Sequence, residues 1–292
     1  MLTVSLALAS ALLYGTGDFA GGILARRAPI IAALFVSAVL GTGLLWAISA
    51  GVDSWHLTRK DLWLGLFTGL LGAIAVTSFC VALAKGTMSV VAPVTALTSA
   101  LVPVAAGLVK GERPGVTSLV GVVLALVAIG LVSSAGDHEA HAASSSSSPR
   151  TPPRILLMAA VAGLMFGTYY SVLHETTESS GTWPVMLEHL GVAICLGLVL
   201  LVMPSQRAPI AVLGSAAMPL LVNSVFDSLA NAAYVLAAHR GLLSLVAVIS
   251  AMYPATTVLL ARIVLGERLA MLQRVGVATA IVAVGLVALG SA

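Results

Sequence analysis

Three polar residues in one apolar run carry much of the chemistry open to this chain: Asn223, Asp227 and Asn231, spaced i, i+4 and i+8, with Tyr234 three residues further on. On a helix, at about 100° per residue, the four side chains fall within about 80° of one another and form a single polar stripe. A carboxylate on such a stripe can bind and release a proton where it borders water, and the amides can hydrogen-bond a polar solute. The same stripe also reads as a seam of hydrogen bonds between helices. A second acid, Asp18, stands four residues after Tyr14, and Gly17 and Gly21 beside it have a GxxxG spacing suited to close helix packing. Asp18 can exchange protons or accept hydrogen bonds from Tyr and Ser hydroxyls. Glu188-His189 is a third candidate, since an imidazole beside a carboxylate relays protons near neutral pH. The pair falls only one to two turns into its run, where a hydrated charge is the plainer reading. Tyr169, Tyr170 and Tyr253 offer rings and hydroxyls to a solute, or simply packing.

The elements that must hold these residues follow from composition. The chain has 292 residues, 59% hydrophobic and 9% charged, with mean hydropathy +1.08, whereas a soluble domain carries about 25% charged residues. Apolar runs of about 20 residues recur, a length that crosses a hydrocarbon core of roughly 30 Å as a helix. The expected class is therefore an all-α integral membrane protein. The net charge of +3 comes from Lys and Arg scattered singly or in pairs between the runs, which are membrane anchors and exclude nucleic acid as a partner. Cys80 and Cys195 sit in apolar runs without CxxC spacing and count as small hydrophobes. The first run lacks a basic leader and reads as a retained helix.

Hydropathy, punctuated by Gly, Pro and charge, predicts ten transmembrane helices near 2–24, 30–50, 62–84, 87–109, 115–134, 155–174, 183–203, 214–237, 242–264 and 269–290. Residues 136–154, a polar Ser/Pro tract, cannot bury enough apolar surface to fold and divide the chain into halves at 1–135 and 155–292. The halves repeat. Ala82–Ser134 aligned on Ala237–Leu289 without a gap is identical at 21 of 53 positions, including Gly111-Glu112-Arg113 against Gly266-Glu267-Arg268. Five crossings per half is an odd number, so the second half enters from the opposite side and the repeats are inverted. Glu112 and Glu267 sit where a carboxylate would cap the fifth and tenth helices and act as a hinge. Pro93, Pro103 and Pro254 lie inside the fourth and ninth helices, where they remove backbone hydrogen bonds and would open the cavity wall.

Two five-helix halves, each with an aromatic-Gly pair in its first helix (Tyr14-Gly15 and Phe166-Gly167) and a Gly-Glu-Arg triplet before its last, resemble the EamA family of the drug/metabolite transporter superfamily. That family often has Trp where this chain has Tyr14, and Asp18 is not part of its pattern. The resemblance implies a ten-helix inverted-repeat exporter of amino acids or other small metabolites, multi-pass in the inner cell membrane, with both termini cytoplasmic. Such a protein is no enzyme, and its partners are a small-molecule substrate and the bilayer, as a monomer or homodimer. The charges alone lean the other way on orientation. A cytoplasmic N-terminus places only Arg59, Lys60, Lys110, Arg113 and Arg240, 5 of the 14 Lys and Arg, inside.

Other chemistries have weaker footing. Gly15-Thr16-Gly17-Asp18 is similar to the G-x-G-D of intramembrane aspartyl proteases, with Asp227 as the second acid, but the two acids come in the wrong order. His174–Glu178 reads HETTE and lacks the second zinc ligand of H-E-x-x-H, and no Gly-rich phosphate loop occurs, so neither metal nor cofactor is expected. A lipid-linked substrate flippase remains an alternative, although the basic residues stand only at helix ends. The central acids and amides without a buried Lys or Arg suit a cationic, zwitterionic or neutral solute better than an anion.

Overall fold

The computed structural model describes residues 2–25, 27–52, 56–85, 88–134, 152–208, 210–265 and 271–290. Among them are α1 (Leu2–Ala25), α2 (Ile30–Val52), α3 (Arg59–Lys85), α4 (Met88–Val109) and α5 (Val116–Ser134), followed by α6 (Pro153–His174) and α7 (Trp183–Val202). A short helical stretch, Ile210–Ser215, leads into α8 (Ala217–Ala238), and α9 (Leu243–Ser250), α10 (Tyr253–Leu265) and α11 (Met271–Gly290) complete the chain. Prolines start several of these helices because the missing N–H falls in the first turn, where it has no helical partner: Pro153 and Pro184 stand within the first two positions of α6 and α7. The predicted linker lies outside the described residues up to 151, and its last residues already enter α6.

Six of the helices, α1, α2, α3, α6, α7 and α8, are long and apolar enough to cross a membrane, and four further apolar helical stretches are shorter over the described residues. Large apolar side chains point outward along them, among them Trp46, Trp63, Phe67, Leu201 and Ile281. This is the surface a bilayer solvates, so the protein is an all-helical, multi-pass membrane protein.

Two corrections to the expected elements have local causes. The predicted eighth helix begins at Ala217, after a turn at Ala216, instead of at 214. The ninth is two helices. α9 stops at Ser250, Met252 N–H bonds back to Ile249 O at 3.1 Å, and α10 resumes at Tyr253 with Pro254 as its second residue. The Pro254 ring would clash with the Ser250 carbonyl in a continuous helix. By contrast α4 runs unbroken through Pro103, which is buried. Pro93 also lies on α4, but its side chain is outside the described residues, as is all of Glu267.

Packing crosses between the halves. α1 lies on α8, α9 and α10 of the second half, while α6 lies on α3 and α4 of the first; α2 meets α7, and α5 meets α11. Glycine allows the two matched approaches. A Cβ at residue 15 would stand 2.6 Å from Tyr253 O of α10, and one at residue 167 would stand 2.6 Å from Ser99 O of α4. Ser99 O is the carbonyl that Pro103 leaves without its helical donor. The aromatic-Gly pairs thus mark where the first helix of each half crosses the proline-bearing region of the other, and backbone contact replaces side-chain packing there.

Candidate functional site

Between these crossings lies a cavity with about 120 Å³ open to the centre of a water molecule. One water needs roughly 10–15 Å³ on this measure, so the space suits a small hydrated solute. It runs from Tyr14, Asp227 and Asn231 at mid-helix to Leu24, Ile30 and Leu83, at the end of α1, the start of α2 and the end of α3.

α8 supplies the polar stripe, and the stripe is both seam and wall. Asn231 Oδ1 accepts from Tyr14 OH at 2.5 Å and from Tyr169 OH, using both lone pairs. Its Nδ2 donates to Asp227 O at 3.0 Å and lies 3.3 Å from Asp227 Oδ2. Asn223 Nδ2 donates to Gly17 O at 3.0 Å, and Ser37 Oγ donates to Asn223 Oδ1 at 3.0 Å. Both amides therefore tie α8 to its neighbours. Asp227 is different: its side chain is 46% exposed, and that exposure is toward the cavity it lines. Asp18 lines the same cavity from α1. A Cβ at Gly17 would stand an ordinary 3.4 Å from Asp227 N, whereas one at Gly21 would stand 3.0 Å from Asn223 Nδ2, so Gly21 is the tighter approach of α1 to α8.

Glu188 and His189 are not hydrated near the helix end, as the sequence suggested. Each is 5% exposed, behind Asp227. His189 Nε2 lies 3.4 Å from Asp227 Oδ2 and 3.2 Å from Ser228 Oγ, while Nδ1 lies 2.5 Å from Glu188 Oε2. That last contact is one of charge, because the directed hydrogen-bond contact of Nδ1 is with Val185 O at 3.2 Å and Glu188 Oε2 accepts no hydrogen bond. Glycines on the facing helices make room for the pair: a Cβ at residue 72 would stand 2.9 Å from Glu188 Oε1, and one at residue 41 would stand 2.6 Å from the His189 ring. The signal in the sequence was the charged pair inside an apolar run; its proximity to Asp227, 38 residues away, was not readable.

All five tyrosines of the chain form one cluster. The Tyr14 ring centre is 6.0 Å from that of Tyr170 and 6.4 Å from that of Tyr253, and Tyr170 is 4.8 Å from Tyr169 and 4.4 Å from Tyr234. Tyr14, Tyr169, Tyr170 and Tyr253 reach the cavity. Tyr234 does not. It is fully buried behind Tyr170, which stands between it and the cavity. Pro103 and Pro254 are likewise buried without lining the cavity, so their effect on it comes through the helix crossings.

The other end of the bundle is latched. Glu112 was expected to cap α5, the helix that follows it. Instead it reaches into the second half and caps α9, accepting from Leu243 N at 2.7 Å, Ser244 N at 3.1 Å and Ser244 Oγ at 2.6 Å. Three residues, Arg113, Pro114 and Gly115, separate it from α5, too many for an immediate N-cap, and Gly111 with φ +87° turns the chain away. Lys110 pairs with Glu175 at the end of α6. Asp61, which sequence reasoning missed, is wholly buried and accepts from Thr177 N at 2.8 Å and Ser180 Oγ at 2.7 Å, joining α3 to the loop before α7. Nearby, His239 contacts Thr176 Oγ1 at 3.3 Å, and burial, with His174 next to it, holds its imidazole below the usual range. Asp61→Asn is expected to lower thermal stability in detergent by about 1–3 kcal/mol, because an amide presents a donor where backbone and hydroxyl donors converge. An unchanged melting curve would show that this latch holds nothing.

The sequence model of the EamA-like transporter family matches the chain twice, over residues 1–134 and 153–289. The chain belongs to the EamA-like transporter family. That family places it among the membrane transporters of the drug/metabolite transporter superfamily, as its motifs suggested. No curated protein matches it in sequence. Among solved structures, one whose title reads only "Crystal structure of protein" is similar in fold, with a TM-score of 0.79 over 99% of this chain and 97% of that one at 15% identity. In this EamA-like chain, Tyr14, where the family often has Trp, supplies the hydroxyl that holds Asn231.

Proposed function

We propose that this EamA-like protein is a proton-coupled secondary transporter that exports a small polar metabolite, such as one bearing an amino group, across the inner cell membrane by alternating access. The observation that carries the reading is the cavity's asymmetry: it reaches one end of the bundle, while Glu112, Asp61 and the Lys110–Glu175 pair latch the other. A protein with one latched end and a polar centre is half of an alternating cycle. In this reading the ten predicted helices are ten crossings, the halves 1–135 and 155–292 are inverted repeats, and rocking one against the other opens the latched end. The exchange of packing partners between α1 and α6 supports it. Tyr14, Tyr169, Tyr170 and Tyr253 shape the solute site, and Asn223 and Asn231 hold its wall together. Asp227, in contact with His189, exchanges the coupling proton, with Asp18 and Glu188 as further carriers.

The test is transport by the reconstituted protein under an imposed pH gradient, comparing it with Asp227→Asn. Gradient-driven accumulation is expected to disappear in the variant while exchange of solute across equal pH persists. Undiminished gradient-driven flux would remove Asp227 from coupling and make the protein a facilitator.

A further inference from the structure

The donors along the cavity wall are largely directed at the protein itself. Ser37, Tyr14, Tyr169, Asn223, Asn231 and Ser99 each donate to a protein oxygen. The groups left to face a solute are the carboxylates of Asp18 and Asp227, the hydroxyl of Tyr253 and the rings of Tyr14, Tyr170, Tyr253 and Phe166. Counting charge gives the same sign. Three carboxylates, Asp18, Glu188 and Asp227, and one imidazole, His189, line the cavity, and no Lys or Arg does so among the described residues. A protonated His189, between Glu188 at 2.5 Å and Asp227 at 3.4 Å, puts one positive charge against three carboxylates, which leaves the wall with a net charge of two negative. The other titratable groups facing them are Cys80 on α3 and the tyrosines of α1, α6 and α10, and none of these supplies a positive charge.

An anionic solute would meet acceptors, and a zwitterion would bring a carboxylate to a wall with few free donors. A metal cation would suit the carboxylates but waste the aromatic faces, which attract an organic ammonium group by its charge and cover its methylenes. We propose that the solute is a small organic ammonium cation, held between Asp18 and Asp227 against the rings of Tyr14, Tyr170 and Tyr253, and that it and protons compete for the same two carboxylates. The inference rests on the transport reading for its flux, but the binding it requires is measurable without transport.

Three probes share a similar shape and differ in charge, namely choline, its uncharged carbon isostere 3,3-dimethylbutan-1-ol and the zwitterion betaine, and sodium serves as the bare cation. Calorimetric titration of the full-length protein in detergent is expected to show choline binding at least about tenfold tighter at pH 8 than either organic analogue, weakening as pH falls because protons compete. Asp18→Asn and Asp227→Asn are each expected to weaken it by about tenfold or more, and Asp227→Glu, which keeps the charge, to retain most of it. The proposal is overturned if the isostere or betaine binds as tightly as choline, if sodium binds and choline does not displace it, or if the double Asn variant, shown by its melting curve to be folded, still binds. Proteoliposome flux separates the two readings. Choline binding without choline flux would leave the cation site standing and remove the transporter reading, whereas gradient-driven flux of betaine with no choline binding would do the reverse.

Discussion

Asn231→Leu is expected to unfold at markedly lower temperature than the parent and to lose solute binding, whereas Asn231→Asp keeps its fold. One amide oxygen accepts from both Tyr14 and Tyr169, which belong to the first helices of the two halves, and the amide nitrogen lies against Asp227. Leucine fills the volume but leaves two buried hydroxyls without their acceptor, at about 1–3 kcal/mol each. Aspartate restores the acceptor and places a second carboxylate beside Asp227, so its defect should appear in pH dependence and not in stability. Thermal unfolding in detergent, with binding measured across pH, separates these effects. Equal stability of all three proteins would mean that the tyrosines find other partners and that Asn231 is not the knot joining the halves.

Glu112→Ala is expected to loosen the latched end specifically. The carboxylate satisfies two backbone N–H groups at the start of α9 and the Ser244 hydroxyl, and its charge faces the positive end of that helix. Hydrogen bonds to an ionised acceptor contribute about 1.5–3 kcal/mol each, which corresponds to roughly ten- to a hundredfold in a local opening equilibrium. Hydrogen exchange across residues 243–250 should therefore quicken by at least about tenfold, with α7 unaffected. Glu112→Gln offers one acceptor oxygen and should fall between. Exchange that accelerates equally throughout would assign Glu112 to global stability and not to a latch.

Periodicity and composition carried most of the architecture. Apolar runs of membrane length, ended by Gly, Pro and charge, define the helices because in a bilayer each helix must satisfy its own backbone, so local sequence decides it. The duplication of Gly-Glu-Arg and aromatic-Gly identified the halves and the family for the same reason: these residues answer fixed local demands, a positive φ at Gly111 and a backbone approach at Gly15 and Gly167. The break between α9 and α10 was half legible, since Pro254 warns of it while the equally conspicuous Pro103 leaves α4 continuous.

What a side chain touches was another matter. The spacing of Asn223, Asp227 and Asn231 predicts one stripe, yet only the packed helices decided that the amides bind protein and that the carboxylate faces the cavity. Glu188-His189 looked hydrated until the glycines of α2 and α3 were brought against it, and Glu112 looked like the cap of its own neighbour until α9 stood closer than α5. The sequence by itself determined an all-helical membrane protein in two matched halves, because helix formation in lipid is a local requirement. Only the tertiary structure decided which charges meet, which donors are already used and which end is latched, because those depend on contacts between residues from 38 to more than 200 positions apart.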